Sequence, residues 1–267
     1  MNKKIKRGNI RFLSVILVVL ALATVVFVCF VSKKLYFFNE KTEKQVVVVA
    51  DTLPFARTLS HWDTLLMQWG VQPGTCGQFL LVENENMGKV TANLSAYELS
   101  DTGWYAVEEL SMSANIGANG FAPLYAKQEG DRKTPQGVFP IKRFFSKFND
   151  FNAHLERIPT TPRTLWIDDP TDSLYNRPYE PVGSEKRNGE HLYRPNDALY
   201  DYVAVIEYNS ECVAGKGSAV FLHCWRGPGR PTMGCVAVEK DNMVKIMDWL
   251  DSVKHPVIIL GAADTLR

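Results

Sequence analysis

Cys235 and His223 are the two residues whose types and spacing suit chemistry. They lie in Val220-Phe-Leu-His-Cys-Trp-Arg-Gly-Pro-Gly-Arg-Pro-Thr-Met-Gly-Cys-Val-Ala-Val238. His223 ends the apolar run that starts at Ala219, and Cys235 directly precedes Val236-Ala237-Val238. Two strand-like runs joined by a loop of Gly, Pro and Arg bring a thiol and an imidazole together, the geometry of a thiolate nucleophile with a general base. Such a thiol needs a depressed pKa. His223 is placed to take its proton, and Arg226 and Arg230 add positive potential. Gly234 permits a tight turn and close approach of substrate. The N–H groups of Gly234 and Cys235 can face a developing oxyanion. The backbone carbonyl of Cys224 is placed to accept from the second ring nitrogen of His223 and so orient it.

The elements that must hold these residues are β-rich. Gln78–Glu83, Val90–Leu99 and Trp104–Leu110 read as short strands punctuated by Gly, Asn and Asp. Asp201–Tyr208 and Gly217–His223 read as further strands, and His255–Gly261 as a buried closing strand. Leu59, Trp62, Leu65, Leu66 and Trp69 fall at helical spacing, with Gly70 as a C-cap. Met243, Ile246, Met247 and Leu250 mark one face of a second helix, with Asp241 in its first turn. Residues 142–200 show little periodicity and read as long loops lining a cleft.

Phe12 through Val31 is an uncharged, almost wholly apolar run, long enough to span a bilayer, which takes about 18 residues or more. Lys3, Lys4, Lys6, Arg7 and Arg11 precede it, which keeps the N-terminus in the cytoplasm and the rest outside. The run exceeds the usual signal-peptide core of about 7–15 residues. The chain therefore divides into a basic tail (1–11), an anchor (12–31), a linker (32–44), an N-terminal part of the globular region (45–100, with Gln45–Ala50 as a strand) and a catalytic domain (101–267). A net charge of +1 gives no argument for nucleic acid. Five cysteines are too few for a disulfide scaffold in 267 residues. A Cys76–Cys212 bridge, a Cys224–Cys235 bridge and a zinc site on His223, Cys224 and Cys235 remain alternatives to free thiols.

The stretch Thr232-Met-Gly-Cys-Val236, with His223 after its apolar run, resembles the signature of the L,D-transpeptidase (YkuD-type) catalytic domain. Gly130-Asp-Arg-Lys-Thr-Pro-Gln-Gly-Val-Phe-Pro-Ile141, Asp168-Asp-Pro, Tyr175-Asn, Glu190-His-Leu-Tyr-Arg194 and Gly215–His223 resemble one branch of that family, in order. The resemblance implies a mainly β, sandwich-like domain with short helices and an extracytoplasmic enzyme, part of cell-wall cross-linking or remodelling. It implies no cofactor and no metal. Its partners are peptidoglycan stem peptides, besides the membrane that holds the anchor. By carry-over, Cys235 is the nucleophile, His223 base and then acid, Cys224 the donor of a carbonyl, and Gly234 part of the oxyanion hole. Arg226, Arg230, His191 and Thr232 are candidate substrate contacts. Met233 stands where many members have His, and Ala237 where many have Arg or Asn. The rival readings are a hydrolase with the same acyl-enzyme (L,D-carboxypeptidase or endopeptidase) and a catalytically silent peptidoglycan-binding module.

Overall fold

The computed structural model describes residues 59–267 apart from positions 124, 153, 264 and 267. The expected span at 12–31, the linker and the Gln45–Ala50 strand lie outside the described residues. Among the described residues no helix is long and apolar enough to cross a membrane.

Helix α1 (His61–Gln68) opens with a capping box. The Asp63 N–H donates to the Ser60 hydroxyl at 3.3 Å, and the Ser60 N–H donates to the Asp63 carboxylate at 2.8 Å. Trp69 caps its end, and Gly70 follows at φ +84°, a left-handed position that glycine takes without strain. The chain then makes an antiparallel meander of β1 (Gln78–Asn84), β2 (Thr91–Ser100) and β3 (Gly103–Asn115). Two short strands, β4 (Phe121–Ala122) and β5 (Thr134–Pro135), pair in parallel. After them come β6 (Gly137–Ser146), β7 (Glu156–Pro159), β8 (Leu165–Trp166), β9 (Pro178–Tyr179) and β10 (Glu190–His191). The last elements are β11 (Tyr202–Ile206), β12 (Phe221–Cys224), β13 (Val236–Val238), α2 (Lys240–Trp249) and β14 (Val257–Ala262).

The main sheet runs β11-β12-β13-β3-β2-β1-β14-β6-β7, and β6 also pairs with β11. The sheet thus closes on itself, with β7 added outside the ring. Alternation sends one side of each strand inward: Leu80 and Val82, Ala204 and Ile206, Leu222 and Cys224, Ile258 and Leu260 share one core with Met243, Ile246 and Met247 of α2. The outer side is covered twice. Under α1, Leu65 and Leu66 pack on Phe79, Leu81, Val257 and Ile259. Over β11 and β12, Trp166 and Leu192 pack on Phe145, Val203, Val205 and Phe221. Strands buried on both faces carry no polar side, which is why Tyr202–Ile206 and Val257–Ala262 are nearly all apolar. Each fully buried Phe in these clusters contributes about 1.5–3 kcal/mol.

Residues 142–200 are not the unbroken loops expected. They hold the end of β6, β7, and a three-stranded sheet in the order β10-β8-β9. Those three strands have two residues each, too short for any periodicity to register. Gln78–Glu83 and Val90–Leu99, read as strands from the sequence, are β1 and β2 of the main sheet.

Candidate active site

β12 and β13 run parallel in the register Leu222↔Val236, His223↔Ala237, Cys224↔Val238. Leu222, Cys224, Val236 and Val238 face the inner core. His223 and Ala237 therefore share the outer face, and Cys235, two positions before Ala237, faces the same way among Phe221 and Tyr200. The pair is diagonal across neighbouring parallel strands, with both side chains on one face. Cys235 is 8% exposed and His223 6% exposed. Both line a cleft of about 320 Å³. The Cys224 thiol sits on the opposite side of β12, buried in the core, and Cys76, Cys212, Cys224 and Cys235 are all free thiols. That placement removes the Cys224–Cys235 bridge and the zinc site that would need both sulfurs, and no Cys76–Cys212 bridge forms.

The His223 ring is fixed from its back edge. Nδ1 lies 2.8 Å from the Cys224 carbonyl, and a carbonyl can only accept, so Nδ1 carries the proton and Nε2 is the basic nitrogen. Burial pulls the imidazole pKa down to about 4. The Cys224 and Leu199 carbonyls oppose this, while Arg226 and Arg194 add to it.

Cys235 departs from expectation. Its Sγ–H donates to the Ala219 carbonyl at 3.2 Å rather than to His223. Burial pushes the thiol up to about 12. Glu190 pushes the same way, and the Phe221 amide and the Lys127 ammonium push against it. The expected lowering by His223, Arg226 and Arg230 is absent because the sulfur is dry and because both arginines stand exposed. The resting pair is thus a neutral thiol and a neutral imidazole.

Asn176 accounts for the Ala219 acceptor. Its Oδ1 accepts from the Ala219 N–H at 3.1 Å and from Trp166 Nε1 at 2.9 Å, and its amide donates to the Tyr208 and Asn209 carbonyls. Ala219 takes φ +52°, and the Gly217 N–H donates to the Tyr175 hydroxyl at 3.2 Å. These bonds draw the chain off the ladder, so β12 begins at Phe221 and not at Gly217.

Gly234 and Thr232 also differ from their expected roles. The Gly234 N–H donates to the Thr232 hydroxyl at 3.1 Å, and that hydroxyl donates to the Cys235 carbonyl at 2.6 Å. The buried Thr134 hydroxyl donates to the same carbonyl at 3.4 Å. The Gly234 amide is therefore turned into its own loop, and Thr232 braces the backbone of Cys235 although it borders the cleft. The Cys235 N–H is the amide left for an oxyanion. What Gly234 supplies is conformation: φ is +142°, and a Cβ there would meet the Lys133 carbonyl at 3.0 Å. Gly234→Ala is expected to destabilise the fold by about 1–3 kcal/mol. Acylation of Cys235 should slow by about tenfold or more, since the sulfur shifts with its loop. A thermal melt and an acylation rate on the same sample check both.

Among the remaining expected contacts, Arg226 and Arg230 line the cleft and have no ion-pair partner among the described residues. They suit carboxylates. His191 is exposed and lies off the cleft, whereas Glu190 lines it. Adjacent strand residues face opposite ways, so only one of the two can reach the site. Lys127, Glu129, Asp168, Arg194 and Tyr200 also line the cleft, and reading the sequence for a thiol and its base left them out. Their one signal was position, inside or beside the ordered motifs. Lys127 is buried and pairs with Asp131 at 2.8 Å. Burial favours a protonated Asp131, but the bonds from Lys127 and from the Gln128 and Lys133 amides outweigh it and hold that carboxyl low. Burial raises the carboxyl pKa of both Asp168 and Glu190.

The family model of the L,D-transpeptidase catalytic domain (YkuD) matches residues 89–259, from just before β2 into β14. No curated protein and no solved structure matches the chain. The matched stretch covers more than half of the sequence and contains both members of the thiol–imidazole pair; the chain belongs to the L,D-transpeptidase catalytic domain family.

Proposed function

We propose that this protein is an acyltransferase on peptidoglycan stem peptides, working through a thioester on Cys235, in the branch of the family with Thr-x-Gly-Cys-Val. The observation that carries this reading is a thiol and an imidazole, its Nδ1 tied to the Cys224 carbonyl, on one face of the β12–β13 pair and lining one cleft. Nε2 of His223 takes the thiol proton as sulfur attacks a carbonyl carbon at an L-centre. The carbonyl oxygen, now negative, faces the Cys235 N–H. The C–N bond to the D-residue breaks, and Nε2 returns the proton to the departing amine. An acceptor amine then attacks the thioester and gives its proton to Nε2. The C–S bond breaks, and the sulfur is protonated again. Arg226 and Arg230 hold donor carboxylates, while Cys224 acts through its carbonyl alone. The apolar run at 12–31 anchors the chain, with the catalytic domain outside the cytoplasm.

Water in place of the amine makes the same acyl-enzyme a hydrolase. Incubation with purified muropeptides separates the two. Cross-linked dimers are the expected products, and shortened monomers alone would assign hydrolysis. The neutral, inward-bonded resting thiol favours a second reading, the silent peptidoglycan-binding module. Muropeptides bound without any change in mass or product would establish it.

A further inference from the structure

Tyr200 is a buried polar side chain at the catalytic pair for which the acyl-transfer steps have no use. It stands in the loop just before β11 and is 9% exposed. Its ring meets the His223 imidazole edge-on, with centroids 5.3 Å apart and planes at 90°. It meets Phe221 the same way at 6.0 Å. The Arg194 guanidinium lies over its face at 5.6 Å. The Glu190 carboxylate lies 3.7 Å from Arg194. Arg194 is held in turn by Asp197, at 2.5 and 2.9 Å.

This packing supplies a constraint that the imidazole otherwise lacks. The Cys224 carbonyl fixes one ring nitrogen, but a single bond leaves the ring free to tilt about it. The Tyr200 ring stops that tilt, and the ring is itself held under the Arg194 guanidinium.

We propose that Tyr200 is a positioning residue for acyl transfer: its ring sets the plane of the His223 imidazole, and the Arg194 guanidinium over its face, held by Asp197, sets the ring. The inference rests on the Cys235–His223 reading. The charged groups around it are Arg194 and Arg226 facing His223, Glu190 and Lys127 facing Cys235, and Arg194, Asp168 and His191 facing Glu190.

The test uses the full chain with Tyr200→Phe, which keeps the ring, and Tyr200→Leu, which removes it. Two quantities are measured across pH: the rate of Cys235 acylation by a stem-peptide donor, and the ring nitrogen signals of His223 by NMR. Tyr200→Phe should acylate within about threefold of wild type, whereas Tyr200→Leu should be slowed by about 100-fold, with the saturating donor concentration unchanged. In Tyr200→Leu water reaches the imidazole, so its titration and the acid limb of acylation should both move to higher pH. Unchanged rates in both variants overturn the inference. So does an equal loss at every pH with the His223 signals unmoved, the behaviour of a purely structural residue. A wild-type chain that never takes an acyl group overturns the thiol chemistry and this inference with it. An acylated wild type with indifferent variants overturns the inference alone.

Discussion

Cys235→Ala should abolish the mass gain that the full chain shows after incubation with a stem-peptide donor. The gain expected on wild type is the donor minus its departing D-residue, the signature of a thioester. The loss should be at least about 10⁴-fold, the scale seen when a nucleophile that acts as a unit with its base is removed. Fold is expected to survive. Alanine leaves the backbone of the loop intact and removes one sulfur contact to Ala219, about 1 kcal/mol. The choice of probe follows from where the other thiols lie. Cys224 is buried in the inner core, and burial holds its pKa up near 12. Burial likewise raises Cys76 to about 11. Cys212 is partly exposed, so a general alkylating reagent would report on it and obscure Cys235. An acylating donor, or a carbapenem-like probe that needs the cleft, reads the right sulfur. A mass gain that persists in Cys235→Ala would end the nucleophile assignment.

Removing the base gives the second large effect. His223→Gln should cost about 10²–10⁴-fold in acylation. The wild-type rate should hold as pH falls below neutrality and drop only near pH 4, because burial keeps the imidazole a base far below its ordinary range. An acid limb near 6.5 would mean that the ring is wet.

The same group sets a stability slope, with a sign that follows from linkage. Above about pH 6.5 the ring is neutral in both states and contributes no pH dependence. Between 6.5 and about 4 the unfolded chain binds a proton that the folded chain refuses, so stability falls as pH falls. Below about 4 both states carry the proton and the loss levels off, at about 3 kcal/mol. Urea melts across this window should show the decline in wild type and a flatter curve in His223→Gln. Identical slopes would contradict a buried neutral imidazole.

The amino-acid order alone determined the thiol, the imidazole and the loop that joins them. It also determined the apolar runs of β12, β13 and β14 and the apolar stripe of α2, because each is a local pattern of residue types. The carbonyl that orients His223 was legible for the same reason: Cys224 is its chain neighbour. Tertiary structure alone decided which groups share the cleft and how dry it is. Glu190 reaches it and His191 does not, and one residue of strand phase makes that choice. The Gly234 amide is satisfied by Thr232, and the Cys235 proton rests on Ala219 because Asn176, far away in sequence, bends that segment. Ionisation followed the same division. Titrating groups respond to every atom that replaces water around them. Trp166, Tyr200 and Leu192, which close over β12, belong to a stretch whose strands are too short to announce themselves.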